Sequence, residues 1–124
     1  MHVTITVSPG EYLDRFTVLE LKAARCDPKF AKAAAAQAER FRGHWPFSPE
    51  EEAKLEPLVE RLRQLNADLW DLEDEIRLLM QDDRDLTRVA AAIARTNDER
   101  AAVKREIDAL FGAESERKFY GASP

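Results

Sequence analysis

Cysteine, glycine and histidine are scarce in this chain of 124 residues: it holds one, four and two of them. With Cys26 alone there is no disulfide framework and no multi-cysteine metal motif, and a small apolar role at a helix end is the simplest use for it. No glycine-rich phosphate loop or G-x-S-x-G nucleophile elbow is present. Neither His2 nor His44 follows a Glu by three helical positions, which removes the carboxylate-bridged di-iron pattern of helical bundles. No metal or other cofactor is expected, and no nucleophile for covalent catalysis is visible. Asp71, Glu73, Asp74 and Glu75 read as a solvated face rather than as a magnesium site.

Long apolar runs are missing as well. Nothing approaches the roughly 20 residues needed to span a bilayer, so no direct membrane insertion is expected. The first residues lack the basic segment and apolar core of a secretory signal, which gives a cytoplasmic expectation. Cations are outnumbered, for a formal net charge of −5, and this disfavours a nucleic-acid partner that must be held through its phosphates.

Charge of mixed sign and helix formers fill the chain instead: 35% of residues are charged and 44% hydrophobic. Such a composition points to an all-α protein with solvated outer faces. The length suits a single domain. A helical domain over 1–112 followed by a polar C-terminal tail over 113–124 is the expected division.

His2 to Val7 alternates apolar and polar residues with the period of a half-buried β-strand. Its partner would be the same strand of a second subunit, or the tail around Lys118, Phe119 and Tyr120. Ser8, Pro9 and Glu11 form a capping-box start, with Val7 and Tyr12 at the staple positions, for a helix running to about Cys26. Asp27 and Pro28 open an Ala-rich helix ending near Gly43. After a loop of His44, Trp45, Pro46 and Phe47, whose two aromatics anchor it on the core, Ser48, Pro49 and Glu51 repeat the cap signature. They start a long helix with apolar residues from Leu55 to Met80 at spacings of three and four. An acidic turn at Asp82 to Asp85 leads to a last helix stopped by Gly112. The expected architecture is an antiparallel bundle or long helical hairpin with two shorter N-terminal helices and one short strand. A long helix of about 45 Å outreaches a compact globule of this size, which makes a homodimer the preferred assembly.

Polar residues interrupt three of the apolar stripes. At about 100° per residue, Asn66 and Glu73 fall within about 40° of Leu62, with Trp70 and Arg77 at the same edge. Asn97, Arg100 and Lys104 break the stripe of the last helix for two turns after Ile93. Glu20 faces inward from the first helix, while Asp14 and Lys22 point outward by the same rule. A hairpin turning near Asp83 sets Asn66 level with Arg100 and Trp70 level with Asn97, with Glu73 and Lys104 on either side. Buried charge needs compensation. The set is therefore either an ion-pair network fixing helix register or the lining of a ligand pocket, with Glu20, Asn66, Trp70, Glu73, Asn97, Arg100 and Lys104 as the candidate ligand-binding residues.

Three segments carry a resemblance over nearly the whole chain: S-P-G-E-Y-L-D-R-F-T-V-L-E-L-K from Ser8, L-N-A-D-L-W-D-L-E-D-E-I-R from Leu65, and T-N-D-E-R-A-A-V-K-R-E-I-D from Thr96. Together they resemble the bacterial DUF6165 family of small proteins. The matching motif residues are Glu11, Asp14, Thr17, Glu20, Lys22, Asn66, Trp70, Glu73, Asn97, Asp98, Arg100 and Lys104. The last two segments are also similar to DUF4254, whose members are associated with genes for bacterial surface-polysaccharide synthesis. Neither family supplies a reaction. The leading expectation is a non-catalytic ligand-binding or adaptor protein whose inward polar cluster recognises a small anionic or sugar-nucleotide ligand or a partner's side chain, and the resemblance to DUF4254 implies service to a polysaccharide enzyme such as a glycosyltransferase. Two alternatives stay open: a small all-α enzyme with a chorismate-mutase-like electrostatic site, and a purely structural dimer.

Overall fold

The computed structural model describes Met1 and residues 3–112. Four α-helices account for its regular structure: α1 (Pro9–Arg25), α2 (Pro28–Gly43), α3 (Pro49–Gln81) and α4 (Thr87–Leu110). The all-α expectation is met, and each of the first three helices begins at a proline placed where the missing N–H costs nothing.

The caps differ in detail. Ser48 and Glu51 make the complete reciprocal box. Ser8 makes only half of one: its Oγ accepts from the Glu11 backbone N–H at 3.2 Å, while the Glu11 carboxylate turns away to Arg15 and Lys104. Asp27 caps α2 without a side-chain hydrogen bond. Asp85 takes the Thr87 N–H and hydroxyl at the start of α4.

The expected N-terminal strand does not form among the described residues. Residues 3–8 carry no ladder, because no second extended segment lies beside them. The alternation survives as exposure, with Ile5 and Val7 half-buried and Thr4 and Thr6 exposed. His2 and the tail residues Lys118, Phe119 and Tyr120 lie outside the described residues.

Helices α3 and α4 form an antiparallel hairpin, stitched on its surface by Arg61–Glu99 and Glu75–Arg88. Helix α1 packs against all three others and α2 lies on α1. Leu13, Leu55, Val59, Leu62, Leu65, Val103 and Ile107 make the core between α1, α3 and α4. Trp45 and Phe47 do anchor the loop: with Tyr12, Phe16, Phe41 and Phe111 they form a chain of ring contacts, and Arg42 lies 4.3 Å from the Trp45 ring centroid. The Tyr12 hydroxyl ties α1 to α2 by donating to the Phe41 carbonyl at 2.7 Å.

Candidate functional site

A charged layer crosses the bundle above this core, and its hub is Asp14. Helix α1 touches three neighbours, so its buried arc is wider than its apolar stripe and takes in Gly10, Asp14 and Thr17 beside Leu13 and Phe16. Asp14, placed outward by helical phase, is only 2% exposed. This corrects the sequence expectation, which took a single stripe to be the whole buried surface.

Three side chains converge on the Asp14 carboxylate. Arg100 donates from Nε to Oδ1 at 2.9 Å and from Nη2 to Oδ2 at 2.5 Å, a two-pronged pair. Asn66 donates Nδ2 to Oδ1 at 3.0 Å and, also at 3.0 Å, to the Thr17 hydroxyl. Lys104 Nζ lies 3.7 Å from Oδ2 while donating to Glu11 Oε2 at 2.5 Å. Glu11 also accepts from Arg15 at 2.9 Å. The Thr17 hydroxyl donates in turn to the Asp14 carbonyl at 2.8 Å.

Gly10 makes the close approach of α1 and α4 possible. Its backbone N–H donates to Asp108 Oδ1 at 2.7 Å, and a Cβ at this position would collide with the Lys104 carbonyl oxygen. The helices therefore meet backbone to backbone one turn from Asp14, which brings Arg100 and Lys104 within reach of the α1 carboxylates.

Burial pushes the Asp14 carboxyl up, but the hydrogen bonds from Arg100 and Asn66 and the charges of Arg100 and Lys104 outweigh it, leaving it below the ordinary aspartate range. At Glu11 burial acts the same way and is outweighed by Lys104 and Arg15. The hydrogen bond to Asp14 raises Arg100 further, and the charges of Glu11 and Glu73 add to it. Asp14 is thus an anion at neutral pH that accepts three hydrogen bonds.

No family model, curated protein or solved structure matches this chain.

Two cavities flank the hub. The larger, about 650 Å³, lies between α1 and α2 under Val3 and Ile5. Arg15, Lys22, Arg40 and Arg100 line it against Glu11 and Asp14. The smaller, about 240 Å³, lies between α1, α3 and α4, and Asn66, Trp70, Glu73 and Arg100 line it. Val18, Lys22 and Arg100 border both. Four of the seven sequence-derived candidates therefore share one cavity.

The other three are placed differently from expectation. Glu20 turns to Arg63 on α3, whose Nε donates to it at 3.0 Å, and stays partly exposed. Asn97, expected inside the stripe of the last helix, is exposed. Lys104 is spent on Glu11 and Asp14 instead of flanking Glu73, which is itself exposed at the cavity wall. Arg77 pairs with Asp74 on the outer face. Asp14, Glu11 and Thr17 were missed by phase and Lys22, read as outward, is exposed at the border of both cavities; all four stand among the motif residues of the family resemblance. No group of His, Cys, Asp and Glu among the described residues is arranged to hold a metal ion. No described helix is long and apolar enough to cross a membrane.

Proposed function

We propose that this chain is a non-catalytic binding module for a small anionic molecule, held in the groove between α1 and α2. The charge balance of the groove wall carries this reading. Four cations face two carboxylates there, and both carboxylates are already engaged by Arg15, Arg100 and Lys104. Lys22 and Arg40 make no ion pair among the described residues and are exposed. Val18, Leu19 and Phe41 add an apolar wall for the ligand's carbon skeleton. The volume lies in the range of sites for drug-sized ligands.

Binding rather than turnover is favoured by the state of the hub. A general base needs a pKa near the working pH, whereas Asp14 is held low by three hydrogen bonds from Arg100 and Asn66. Arg100 and Lys104, the cations an electrostatic enzyme would turn on its substrate, are held by Asp14 and Glu11. A partner protein such as a glycosyltransferase and a polysaccharide pathway remain part of this proposal through the family resemblance alone, which makes sugar nucleotides the first compounds to try.

A thermal-shift screen against nucleotide sugars, nucleoside diphosphates, and small carboxylates and phosphates tests the reading, with titration calorimetry on any hit. A ligand at 100 times its Kd adds about 2.7 kcal/mol to stability, a readily measured rise in melting temperature. The rise is expected to vanish in Lys22→Met/Arg40→Met, whose own melting should match wild type because both side chains are exposed. A flat screen, or a shift that survives in the double variant, removes the groove as the anion site.

A further inference from the structure

We infer that the smaller cavity, beyond Lys22 and Arg100, is a separate binding site for a small zwitterion: an α-amino acid with an apolar side chain. Its walls divide by chemistry. Lys22 from α1, Arg100 from α4 and Asn66 and Glu73 from α3 supply its polar lining, and Val18, Leu21, Leu69 and Trp70 the rest. Opposite charges in one cavity with an apolar lining match a ligand that carries both charges on one carbon and a hydrocarbon group beside them.

The charged groups are available. Lys22 and Glu73 line the same cavity, yet neither closes an ion pair with the other or with any other described residue. Arg100 gives Nε and Nη2 to Asp14, which leaves Nη1 for a carboxylate. Because Asp14, itself bonded by Asn66, takes two of its nitrogens, the guanidinium is held in place before a ligand arrives. Its field also reaches Glu73, whose charge stabilises the protonated guanidinium.

Trp70 stands three residues before Glu73 on α3, so its ring and the carboxylate share one helix face. An ammonium group placed between them gains an ion pair from one and a cation–π contact from the other. Arg25 lies 6.0 Å from the same ring centroid, but its guanidinium is held by Asp71 at 2.8 Å and does not line the cavity. At about 240 Å³ the space is below the range of drug-sized sites and suits a single amino acid.

This site shares only Val18, Lys22 and Arg100 with the α1–α2 groove and goes beyond the anion-binding reading. Calorimetric titration of the full chain with L-leucine, L-methionine and L-phenylalanine tests it, alongside two truncated probes of leucine: 4-methylpentanoate, which lacks the amine, and isoamylamine, which lacks the carboxylate. The best amino acid is expected to bind at least tenfold more tightly than either truncated probe. Glu73→Gln, a change at an exposed position, should bring leucine down to the level of 4-methylpentanoate and leave 4-methylpentanoate unchanged. Trp70→Leu should weaken leucine and isoamylamine together. Leucine equal to 4-methylpentanoate in wild type, a Glu73→Gln variant that binds leucine as wild type does, or no binding of any of the three amino acids overturns the inference. An anion that shifts the melting temperature while no amino acid binds leaves the groove reading standing and removes this one. Amino-acid binding with a flat anion screen does the reverse.

Discussion

Arg100 lies flat across Asp14, with two of its nitrogens 2.9 and 2.5 Å from the two carboxylate oxygens, and 86 residues of sequence separate the partners. The pair joins the first helix to the last, on the face where Asn66 joins α1 to α3. One end of it is buried and the other is 30% exposed on its side chain, so removing the two partners has unequal consequences.

Arg100→Met strands a buried carboxylate. Lys104 and Asn66 still face it, and the expected loss is about 3 kcal/mol in urea denaturation. Asp14→Leu/Arg100→Met should lose clearly less than the two single losses added, because the second change removes the charge that the first one strands. Simple additivity in that cycle would mean that Asp14 and Arg100 are not coupled.

The same carboxylates set an acid limit. The folded-state pKa of both Asp14 and Glu11 is depressed, so each contributes stability above its unfolded-state pKa and loses it as pH falls through the folded value. Below about pH 4 the unfolded chain takes up protons that these two folded-state groups still refuse, and stability drops. Asp14→Asn is expected to be less stable at neutral pH but to fall less steeply between about pH 4 and 2. Parallel slopes for variant and wild type would remove Asp14 as a source of the acid sensitivity.

How far the chain could be read in advance follows from which signals are local. The proline caps at Pro9, Pro28 and Pro49 lie within a few residues of the ends they set, and all three helices begin there. The polar residues Asn66 and Arg100 interrupt otherwise apolar stripes, so a phase argument finds them, and they do meet, on a shared carboxylate. Asp14 escaped because its burial is set by the number of helices that surround α1, which no single-helix periodicity encodes. Glu20 misled for the complementary reason: its position beside the apolar stripe is real, but Arg63 draws it to the surface. The strand over residues 2–7 failed on a non-local condition too, since an alternating segment becomes a strand only when another lies beside it.

Gly10→Ala tests whether the contact between α1 and α4 is as tight as the charged layer requires. Alanine is the better helix former by about 1 kcal/mol, so propensity alone favours the change. The added Cβ, however, meets the Lys104 backbone oxygen, which cannot swing aside as a side chain would. The helices must move apart, stretching Gly10 to Asp108 and the Lys104 and Arg100 pairs with Glu11 and Asp14. A net loss of about 1–3 kcal/mol is expected by thermal or urea unfolding, comparable to overpacking a core. A gain in stability would show that propensity wins and that the approach at Gly10 has room to relax.

Pro57 sits inside α3, eight residues past Pro49, and is exposed. It cannot donate to the Ala53 carbonyl, and its ring crowds that carbonyl, which in a helix interior costs about 3 kcal/mol relative to alanine. Against this, proline restricts the unfolded chain, an effect of about 0.4–1 kcal/mol in its favour. Because the side chain buries nothing, Pro57→Ala is expected to stabilise the protein by about 2 kcal/mol in equilibrium unfolding. The neighbours Leu55 and Val59 are core residues, and Leu58 packs against the same cluster. A neutral or destabilising result would therefore mean that a bend at Pro57 seats these residues on α1, so that straightening α3 costs packing as large as the helix gain.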